Sequence, residues 1–139
     1  MTEFFVSVLA ADYPFYEGPC VSVTIPTPQG EYGVLAHHCN AIFAVVPGLL
    51  RIRLPDGSVL VAAVSEGLFK AENNEVLVLV DSAERPEDID LNRAKRAADQ
   101  AKEEMLQKKS IQEYRSAKAH LARAMNRMRV GAGYRKDHQ

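Results

Sequence analysis

The chain changes character at Pro86. Six of its seven prolines precede this residue, and after it there is no further proline and no glycine until Gly131. Proline and glycine interrupt helices and favour turns. The first part of the chain therefore favours short strands joined by turns, and the second part favours long helices.

The charge also changes sign near this point. Residues 1–84 carry 3 basic and 10 acidic side chains, a net charge of −7, whereas residues 85–139 carry 14 basic and 8 acidic, a net charge of +6. The whole-chain value of −1 hides this difference. Regions of opposite charge suit different partners and also attract one another.

Five segments of residues 1–84 are typical of β-strands. They are Phe4–Leu9, Val21–Ile25, Gly48–Leu54, Ser58–Val64 and Glu75–Val80. All are short, rich in β-branched residues and partly alternating, and turn signals such as Pro55-Asp56-Gly57 and Asn73-Asn74 separate them. No helix is expected here. The pattern predicts antiparallel sheets packed face to face, as a β-sandwich or a flattened barrel.

Residues 85–139 show two helical periodicities. Apolar residues recur at 3, 4, 3, 4 spacing, as Leu91, Ala94, Ala98, Ala101 and Met105 and again as Tyr114, Ala117, Leu121, Ala124 and Met128. Asp90 suits the start of the first helix, and Ser110 to Glu113 has the spacing of a capping box, so the chain is expected to turn near Lys109-Ser110. Gly131-Ala132-Gly133 is expected to end the second helix. We predict a β-sandwich over residues 1–84 and an antiparallel helical hairpin over residues 85–139.

The predicted seam of this hairpin consists mostly of alanine. Small side chains bury little apolar area, at roughly 25 cal/mol per Å², against an ordering cost of about 1–2 kcal/mol per residue. The hairpin is therefore expected to depend on neighbours and to suit docking in more than one place.

Composition excludes several classes of protein. With 47% hydrophobic and 25% charged residues the chain is expected to be globular, and no segment has the length of a membrane span or the features of a signal peptide. Cys20 and Cys39 are expected to be small buried residues in a reducing compartment.

No phosphate-binding loop, nucleophile elbow or zinc-protease motif is present, and His37-His38-Cys39 lacks a second pair of metal ligands. Glu31 and Glu66 are interpreted as surface residues rather than an acid/base pair.

Basic residues are frequent on the second predicted helix. They are Arg115, Lys118, Arg123, Arg127 and Arg129. A solvated helix surface explains them simply, whereas an acidic protein partner or a nucleotide phosphate would use them; nucleic acid is disfavoured by the acidic first region. Arg123 and Arg127 lie four residues apart and, with Arg93 on the facing helix, suit a phosphate group.

Several motifs, in order along essentially the whole chain, resemble the epsilon subunit of F-type ATP synthases. Gly30 to His38 is similar to the family's G-E-x-G-[IV]-L-P-G-H, with Ala36-His37 in place of Pro-Gly. Val76 to Ala83 resembles V-T-V-L-A-D-x-A, and Ile89 to Ala94 matches [IL]-D-x-x-R-A. Weaker similarities are Pro47-Gly48 and Ser65-Glu66-Gly67, each before a strand, and Ala122 to Met128 on the second helix.

The resemblance implies a non-catalytic rotor subunit. In the family the β-sandwich binds the gamma subunit and sits on the ring of c subunits, whose loops Glu31 and His38 would contact. The hairpin folds against the sandwich or extends along gamma toward the catalytic beta subunits, where it restrains ATP hydrolysis. The implied location is peripheral, on the cytoplasmic face of the bacterial inner membrane.

The resemblance also implies a regulatory ATP site, although no cofactor is required. The matching positions are Ile89, Asp90, Arg93, Ala94, Arg123 and Arg127, with Glu84 as an addition. Gln100 stands where ATP-binding members carry an arginine, which predicts weaker affinity. An N-cap at Asp90 and a salt bridge within the hairpin would explain Asp90 and Arg93 without ATP. A free-standing ATP-sensing module is the alternative function, and a small enzyme would need an acid/base site that the sequence does not show.

Overall fold

A computed structural model describes residues 2–107 and 111–137. The chain divides into two compact units, Met1–Arg85 and Pro86–Gln139. Among the described residues, the first unit contains ten strands: β1 (Phe4–Ala10), β2 (Pro14–Cys20), β3 (Ser22–Thr27), β4 (Gly30–Leu35), β5 (Ala41–Val45), β6 (Gly48–Arg53), β7 (Val59–Val64), β8 (Gly67–Glu72), β9 (Glu75–Val80) and β10 (Ala83–Glu84). The second unit contains a 3₁₀ turn, Pro86–Asp88, and two helices, α1 (Leu91–Gln107) and α2 (Ile111–Asp137).

The ten strands form a β-sandwich of two five-stranded sheets. Sheet 1 has the order β2-β1-β9-β8-β5, and sheet 2 has the order β10-β7-β6-β3-β4. All strand pairs are antiparallel except β1 and β9, which run parallel with Val6 opposite Val76. The predicted sandwich is confirmed, and the expectation of purely antiparallel sheets is corrected at this one pair. A parallel pair requires a long crossover, and most of the sandwich lies between β1 and β9.

Alternation along the strands builds the core between the sheets. In sheet 1 the buried side chains of β1 are Phe4, Val6 and Val8, and sheet 2 contributes side chains such as Ile25 and Leu50. Phe69 of β8 is the largest fully buried side chain and has no exposed surface. Each such side chain stabilises the fold by about 1.5–3 kcal/mol. The five predicted strands correspond to β1, β3, β6, β7 and β9, and no helix interrupts the described part of the first unit.

Two aromatic residues, Tyr13 just before β2 and Phe15 within it, contact the last residues of the first unit. The Tyr13 hydroxyl donates a hydrogen bond to the Ala83 carbonyl oxygen. The Arg85 guanidinium lies over the Phe15 ring, 5.5 Å from its centroid, in a cation–π contact. Residues 83–85 are therefore fixed to the sandwich.

The second unit is a helical hairpin whose first helix begins as predicted. The Arg93 amide donates to Asp90 Oδ1 at 3.1 Å, and the Ala94 amide donates to the Asp90 carbonyl at 3.0 Å, which is the geometry of an N-cap. The predicted capping box begins at Ser110, which lies outside the described residues, as does the expected turn at Lys109-Ser110.

Alanines form the buried seam of the hairpin. Ala94, Ala98 and Ala101 of α1 and Ala117 and Ala124 of α2 are at most 3% exposed. The larger apolar residues of the predicted pattern are less covered: Leu91, Met105, Leu121 and Met128 are half-buried, and Tyr114 is exposed. The periodicity correctly identified the contacting faces, while Tyr114 lies outside the seam.

The predicted end of α2 at Gly131-Ala132-Gly133 is wrong, because the helix continues to Asp137. Neither glycine has a positive φ, so neither forms a left-handed C-cap. Gly131 instead allows close packing: a Cβ there would lie 2.8 Å from Leu91 Cδ2 and 3.1 Å from Ile89 Cγ2. Tertiary contact with the start of α1 thus outweighs the low helix propensity of glycine.

Both cysteines are free, but only one is buried. Burial of Cys20 raises the pKa of its thiol to about 12. Cys39 is exposed, which corrects the expectation that both thiols are buried. It lies in the connection between the edge strands β4 and β5, at the periphery of both sheets. None of the described helices is both long enough and apolar enough to cross a membrane.

Candidate partner-binding surfaces

The β4–β5 loop, residues 36–40, is held against the sandwich through His38. The His38 Nδ1 atom lies 2.7 Å from the Cys39 carbonyl oxygen, and Nε2 lies 2.6 Å from the Tyr32 hydroxyl. A carbonyl oxygen only accepts, so Nδ1 carries a proton and, in the neutral ring, Nε2 accepts from Tyr32. The Tyr32 ring contacts Phe43, which stacks on the buried Phe69. His38 is thereby connected to the core.

The other side of the loop is held by the β8–β9 turn. His37 has a φ of 62°, and its amide donates to Asn74 Oδ1 at 2.6 Å. In return, the Asn73 amide donates to Asn40 Oδ1 at 3.4 Å. Asn73 and Asn74 have φ values of 53° and 61°, which suits a two-residue hairpin turn with two left-handed residues. The loop and the turn therefore lie side by side.

Glu31 lies on the exposed outer surface of sheet 2, near the start of β4. Its Oε2 atom is 2.6 Å from Arg51 Nη2, and both side chains are about half exposed, at 56% and 40%. Ion pairs this exposed contribute about 0–1 kcal/mol and are readily exchanged for another partner. Glu31 directly precedes Tyr32, the residue that bonds His38, but the two side chains are on opposite faces of β4 because side chains alternate.

Sheet 1 has an outer face with a row of exposed apolar side chains. Leu79 of β9 lies opposite Leu9 of β1 and Leu68 of β8, and Leu68 lies opposite Ala44 of β5. Leu68 and Leu79 are 54% and 44% exposed. On the same face, Ile42 lies two residues from Ala44 along β5 and Phe5 lies four residues from Leu9 along β1, and their side chains are 69% and 45% exposed. Contiguous exposed apolar surface marks sites of protein contact. We call these residues the apolar row: Phe5, Leu9, Ile42, Ala44, Leu68 and Leu79.

The hairpin brings several predicted ATP-site residues into neighbouring segments. Ile89 is buried beside Gly131 of α2, Asp90 caps α1, and Ala94 lies in the buried seam. Arg93 is exposed on the first turn of α1, while Arg123 and Arg127 are half-buried on α2, four residues apart. The hydrogen bond that the Arg93 amide donates holds the pKa of the Asp90 carboxyl below its ordinary value. Glu84 belongs to the first unit, and Gln100 is exposed, with its amide donating to Glu104 at 3.4 Å.

The five basic residues of α2 do not share one face. At 100° per residue, Arg115, Lys118 and Arg129 fall within about 60° of one another. These three are exposed, whereas Arg123 and Arg127 lie about 80–120° away from Arg115 and are half-buried. Arg129 also donates to Oδ1 of the buried Asn126 at 2.7 Å. The exposed three suit an acidic surface, whereas the other two are partly covered by protein.

Sequence reasoning missed three residues that shape these surfaces. Tyr32 lies within the Gly30 to His38 motif and Asn74 within a predicted turn, but no sequence pattern predicts that either residue contacts the β4–β5 loop. The apolar periodicity of the second helix does not predict that Asn126 is buried. Among residues 2–107 and 111–137, no three His, Cys, Asp or Glu side chains form a group able to hold a metal ion.

The fold and these surfaces define a β-sandwich subunit with a helical appendage, whose exposed features suit protein contacts. Two family models match the chain over nearly its whole length. The ATP synthase Delta/Epsilon chain β-sandwich domain matches residues 3–86, and the long α-helix domain of the same chain matches residues 87–131. The chain belongs to this family, as an epsilon subunit of F-type ATP synthase.

Relatives named ATP synthase epsilon chain agree with this assignment. That of Ruminiclostridium cellulolyticum is 46% identical over 129 residues, covering 92% of this chain and 95% of its own length. That of Caldicellulosiruptor bescii is 35% identical over 130 residues, covering 94% of each. The predicted resemblance is confirmed, as is the rotor subunit role, and the free-standing sensor is not favoured.

Solved structures share the fold. A chain of the Euglena gracilis mitochondrial ATP synthase, in an assembly of OSCP, F1 and c-ring, superposes with a TM-score of 0.76 at 21% identity, over 91% of this chain and 79% of that one. A chain from the Tetrahymena thermophila mitochondrial ATP synthase central stalk and c-ring gives 0.62 at 11% identity, over 91% and 95%. At these identities the likeness concerns the fold alone.

Proposed function

We propose that this chain is a non-catalytic subunit that transmits rotation between the c ring and gamma through its sandwich and restrains ATP hydrolysis through its hairpin. The observation that carries the proposal is the apolar row on the rigid sandwich. A surface of this kind suits a permanent protein contact, and a rigid support suits the transmission of torque. In this role the chain is peripheral to the membrane, on the cytoplasmic face.

The apolar row is the proposed contact for gamma. Its central residues Leu68 and Leu79 are cross-strand neighbours and about half exposed, so a partner can bury them without rearranging the sheet. A Leu68→Glu substitution should prevent assembly with gamma, because it places a charge at the centre of the contact. Val59→Glu is the matched control, since Val59 is 48% exposed but lies on sheet 2. Equal assembly of both variants would contradict this assignment.

Glu31 and the β4–β5 loop with His38 are the proposed contact for the c ring. Glu31 is half exposed in a weak ion pair, and His38 is held on a loop fixed to the core. Polar side chains on rigid supports suit recognition of polar loops. Glu31→Ala and His38→Ala are expected to weaken c-ring binding while leaving gamma binding intact.

The hairpin is the proposed inhibitory element. Its alanine seam buries little apolar surface, and Arg115, Lys118 and Arg129 present exposed positive charge. An acidic segment of the catalytic beta subunits suits this surface, and the two half-buried residues Arg123 and Arg127 extend the predicted basic set. Inhibition should weaken as salt is raised, because exposed charge pairs are screened within about 10 Å at 0.1 M.

Ending the chain after Arg85 tests whether the sandwich alone assembles with the partners and whether the hairpin alone inhibits hydrolysis. This variant keeps the whole sandwich, including Arg85 over Phe15. It should assemble with gamma and the c ring and copurify with membranes, while the ATP hydrolysis rate of the complex rises. Assembly with an unchanged hydrolysis rate would mean that the hairpin is not inhibitory. A truncated chain that stays out of the complex would contradict the proposed role of the sandwich.

ATP is proposed as a regulatory ligand of the hairpin. The residues proposed to hold it are Ile89, Asp90, Arg93, Ala94, Arg123 and Arg127, with Glu84 as an addition. Arginine pairs with phosphate oxygens in a way that an amide does not, and Gln100 is exposed on α1. Gln100→Arg should therefore tighten ATP binding in calorimetry, with Gln107→Arg on the same helix as the control. Unchanged or weaker binding in the first variant would contradict this site.

A further inference from the structure

The β4–β5 loop contains one residue with a left-handed backbone conformation, His37. His37 has a φ of 62°, in the left-handed region where a side chain is tolerated poorly. Asn73 and Asn74 also have positive φ, but they form a tight hairpin turn, for which asparagine is well suited. His37 lies at a turn in the longer β4–β5 loop, where a hydrogen bond from the β8–β9 turn supports its conformation.

One contact acts directly on this residue. The His37 amide donates to Asn74 Oδ1 at 2.6 Å, across 37 positions of sequence. Asn74 is half-buried on a two-residue turn between β8 and β9, two strands of sheet 1 that pair from Gly67 opposite Val80 to Glu72 opposite Glu75. The acceptor oxygen is therefore carried by a rigid support.

His38 directly follows His37 and has two hydrogen bonds of its own. His38 is joined on its other side to Tyr32, and its Nδ1 donates to the next carbonyl, that of Cys39. These bonds fix the ring, while the His37 φ decides the direction in which the backbone enters residue 38. Asn40 Oδ1, which accepts from the Asn73 amide, holds the far end of the loop to the same turn.

We propose that Asn74 is a positioning residue for the partner-binding loop: its side-chain oxygen holds His37 left-handed and thereby sets the place of His38 on the surface. This inference rests on the proposed c-ring contact and adds to it a residue that does not itself need to touch the c ring. The β8–β9 turn becomes a support for the contact.

The variants separate the hydrogen bond from the shape of the turn. Asn74→Gly keeps the positive φ but removes the acceptor, and Asn74→Asp keeps both. Asn73→Gly is the matched control, because it makes the same change in the same turn and leaves Asn74 Oδ1 in place. His37→Gly removes the need for support, since glycine adopts a positive φ freely.

The first measurement is amide hydrogen exchange by NMR on the free, full-length chain. Asn74→Gly should accelerate exchange of the His37 amide by about tenfold, the scale of one lost hydrogen bond, while Asn73→Gly and Asn74→Asp leave it near wild type. An unchanged His37 amide in Asn74→Gly would overturn the proposal. This readout does not depend on any partner.

The second measurement is binding of the chain, in complex with gamma, to purified c ring. Asn74→Gly should weaken binding by roughly 5-fold, within the range for one hydrogen bond, and Asn74→Asp should restore it. In a His37→Gly background the same change should have less than about 2-fold effect. An undiminished loss in that background would overturn the proposal, because Asn74 would then act by another route.

Glu31→Ala and His38→Ala in the same assay distinguish failure of the proposed c-ring contact from failure of the positioning role of Asn74. If both bind as wild type while Asn74→Gly changes the His37 amide, the c-ring contact is wrong, and the role of Asn74 in binding is overturned with it. If both weaken binding and Asn74→Gly does not, only the positioning role is overturned.

Discussion

The sandwich and the hairpin are stabilised by side chains of very different size. Fully buried residues of the sandwich include Phe69, Ile25 and Leu50, whereas the buried seam of the hairpin is made of alanines such as Ala98 and Ala117. A large apolar side chain contributes about 1.5–3 kcal/mol on burial, and a single methyl group about 0.8 kcal/mol. The sandwich therefore holds its shape by itself, while the hairpin has little stability in reserve.

The difference in core size matches a difference in surface. The sandwich is acidic and presents an apolar row, and the hairpin is basic and presents charges on α2. A rigid unit with apolar surface suits a permanent contact, and a marginal unit with exposed charge suits a contact that forms and breaks. The comparison teaches that one short chain can combine a unit with a core of large apolar side chains and a unit whose buried seam is alanine.

Glycines in the two units show how much each can adapt. In the sandwich, a Cβ on Gly67 would overlap the Leu79 carbonyl oxygen and lie 2.8 Å from both the Leu79 carbonyl carbon and Val80 Cα. In the hairpin, a Cβ on Gly131 would meet the ends of two side chains, Leu91 and Ile89. Backbone of a central strand cannot move aside, whereas side-chain ends can. Substitutions at these positions therefore probe the comparison directly.

The largest effect is expected at Gly67. Gly67→Ala should lower the free energy of unfolding of the sandwich by about 3 kcal/mol, the upper range for overpacking, because β8 and β9 must separate. Urea unfolding followed by near-ultraviolet circular dichroism measures this. Gly33→Ala is the control, since Gly33 lies in β4 with a negative φ and a Cβ there would have no neighbour within 4 Å. A Gly67 variant as stable as the Gly33 variant would show that the sandwich is less rigid than its packing indicates.

The strands that sequence reasoning found and missed differ in their place in the sheets. The five predicted strands include β1, β9, β6, β7 and β3, all flanked on both sides within their sheets. Of the five missed strands among the described residues, β2, β5, β4 and β10 are edges. Edge strands tolerate proline, glycine and polar residues, and β2 contains Pro14, Gly18 and Pro19. The sequence of β2 therefore resembles a turn, whereas β5 is wholly apolar and only five residues long.

The missed inner strand, β8, has a different explanation. Its sequence alternates between buried residues, Phe69 and Ala71, and exposed residues, Lys70 and Glu72. It contains no β-branched residue, so its intrinsic strand propensity is weak. Pairing with β5 and β9 in the folded chain is what identifies it as a strand. Tertiary context decides such a segment.

Candidate site residues were predictable where a local pattern carries them. Asp90 was identified as an N-cap from its place before an apolar repeat, and the structure has this bond. The contact between His37 and Asn74 spans 37 positions and follows from no local pattern. The pairing of Tyr32 with His38 is short in sequence but depends on the fold at the open edge of the sandwich. Local chemistry was readable, and long-range hydrogen bonds were not.

A smaller effect is expected at the two glycines of α2. Gly133→Ala should stabilise the hairpin by about 1 kcal/mol, because alanine favours helix and a Cβ there has no neighbour within 4 Å. Gly131→Ala should give a clearly smaller gain or a loss, since Leu91 and Ile89 must shift. Thermal unfolding of the full chain, followed by circular dichroism at a helical wavelength, compares the two. Equal gains would mean that the start of α1 does not pack on Gly131 as described.

The smallest effect is expected from the cap of α1 and depends on pH. The Arg93 amide holds the pKa of the Asp90 carboxyl below its ordinary value of 3.8. A lowered pKa in the folded state stabilises that state above the unfolded pKa, and this contribution is lost as the pH falls through the folded value. The start of α1 should therefore loosen as the pH falls below about 4, which the NMR shift of the Arg93 amide reports.

Asp90→Asn is the matched variant for this prediction, because asparagine caps a helix about as well as aspartate and does not titrate. Its Arg93 amide should keep a nearly constant NMR shift over the same pH range. The difference between the two titration curves therefore isolates Asp90. Because Asp90 is fully exposed, the difference should be small and should leave the sandwich unaffected. Identical curves would show that the cap hydrogen bond does not depend on the charge of Asp90, and that the hairpin owes its start to packing at Ile89 and Gly131 instead.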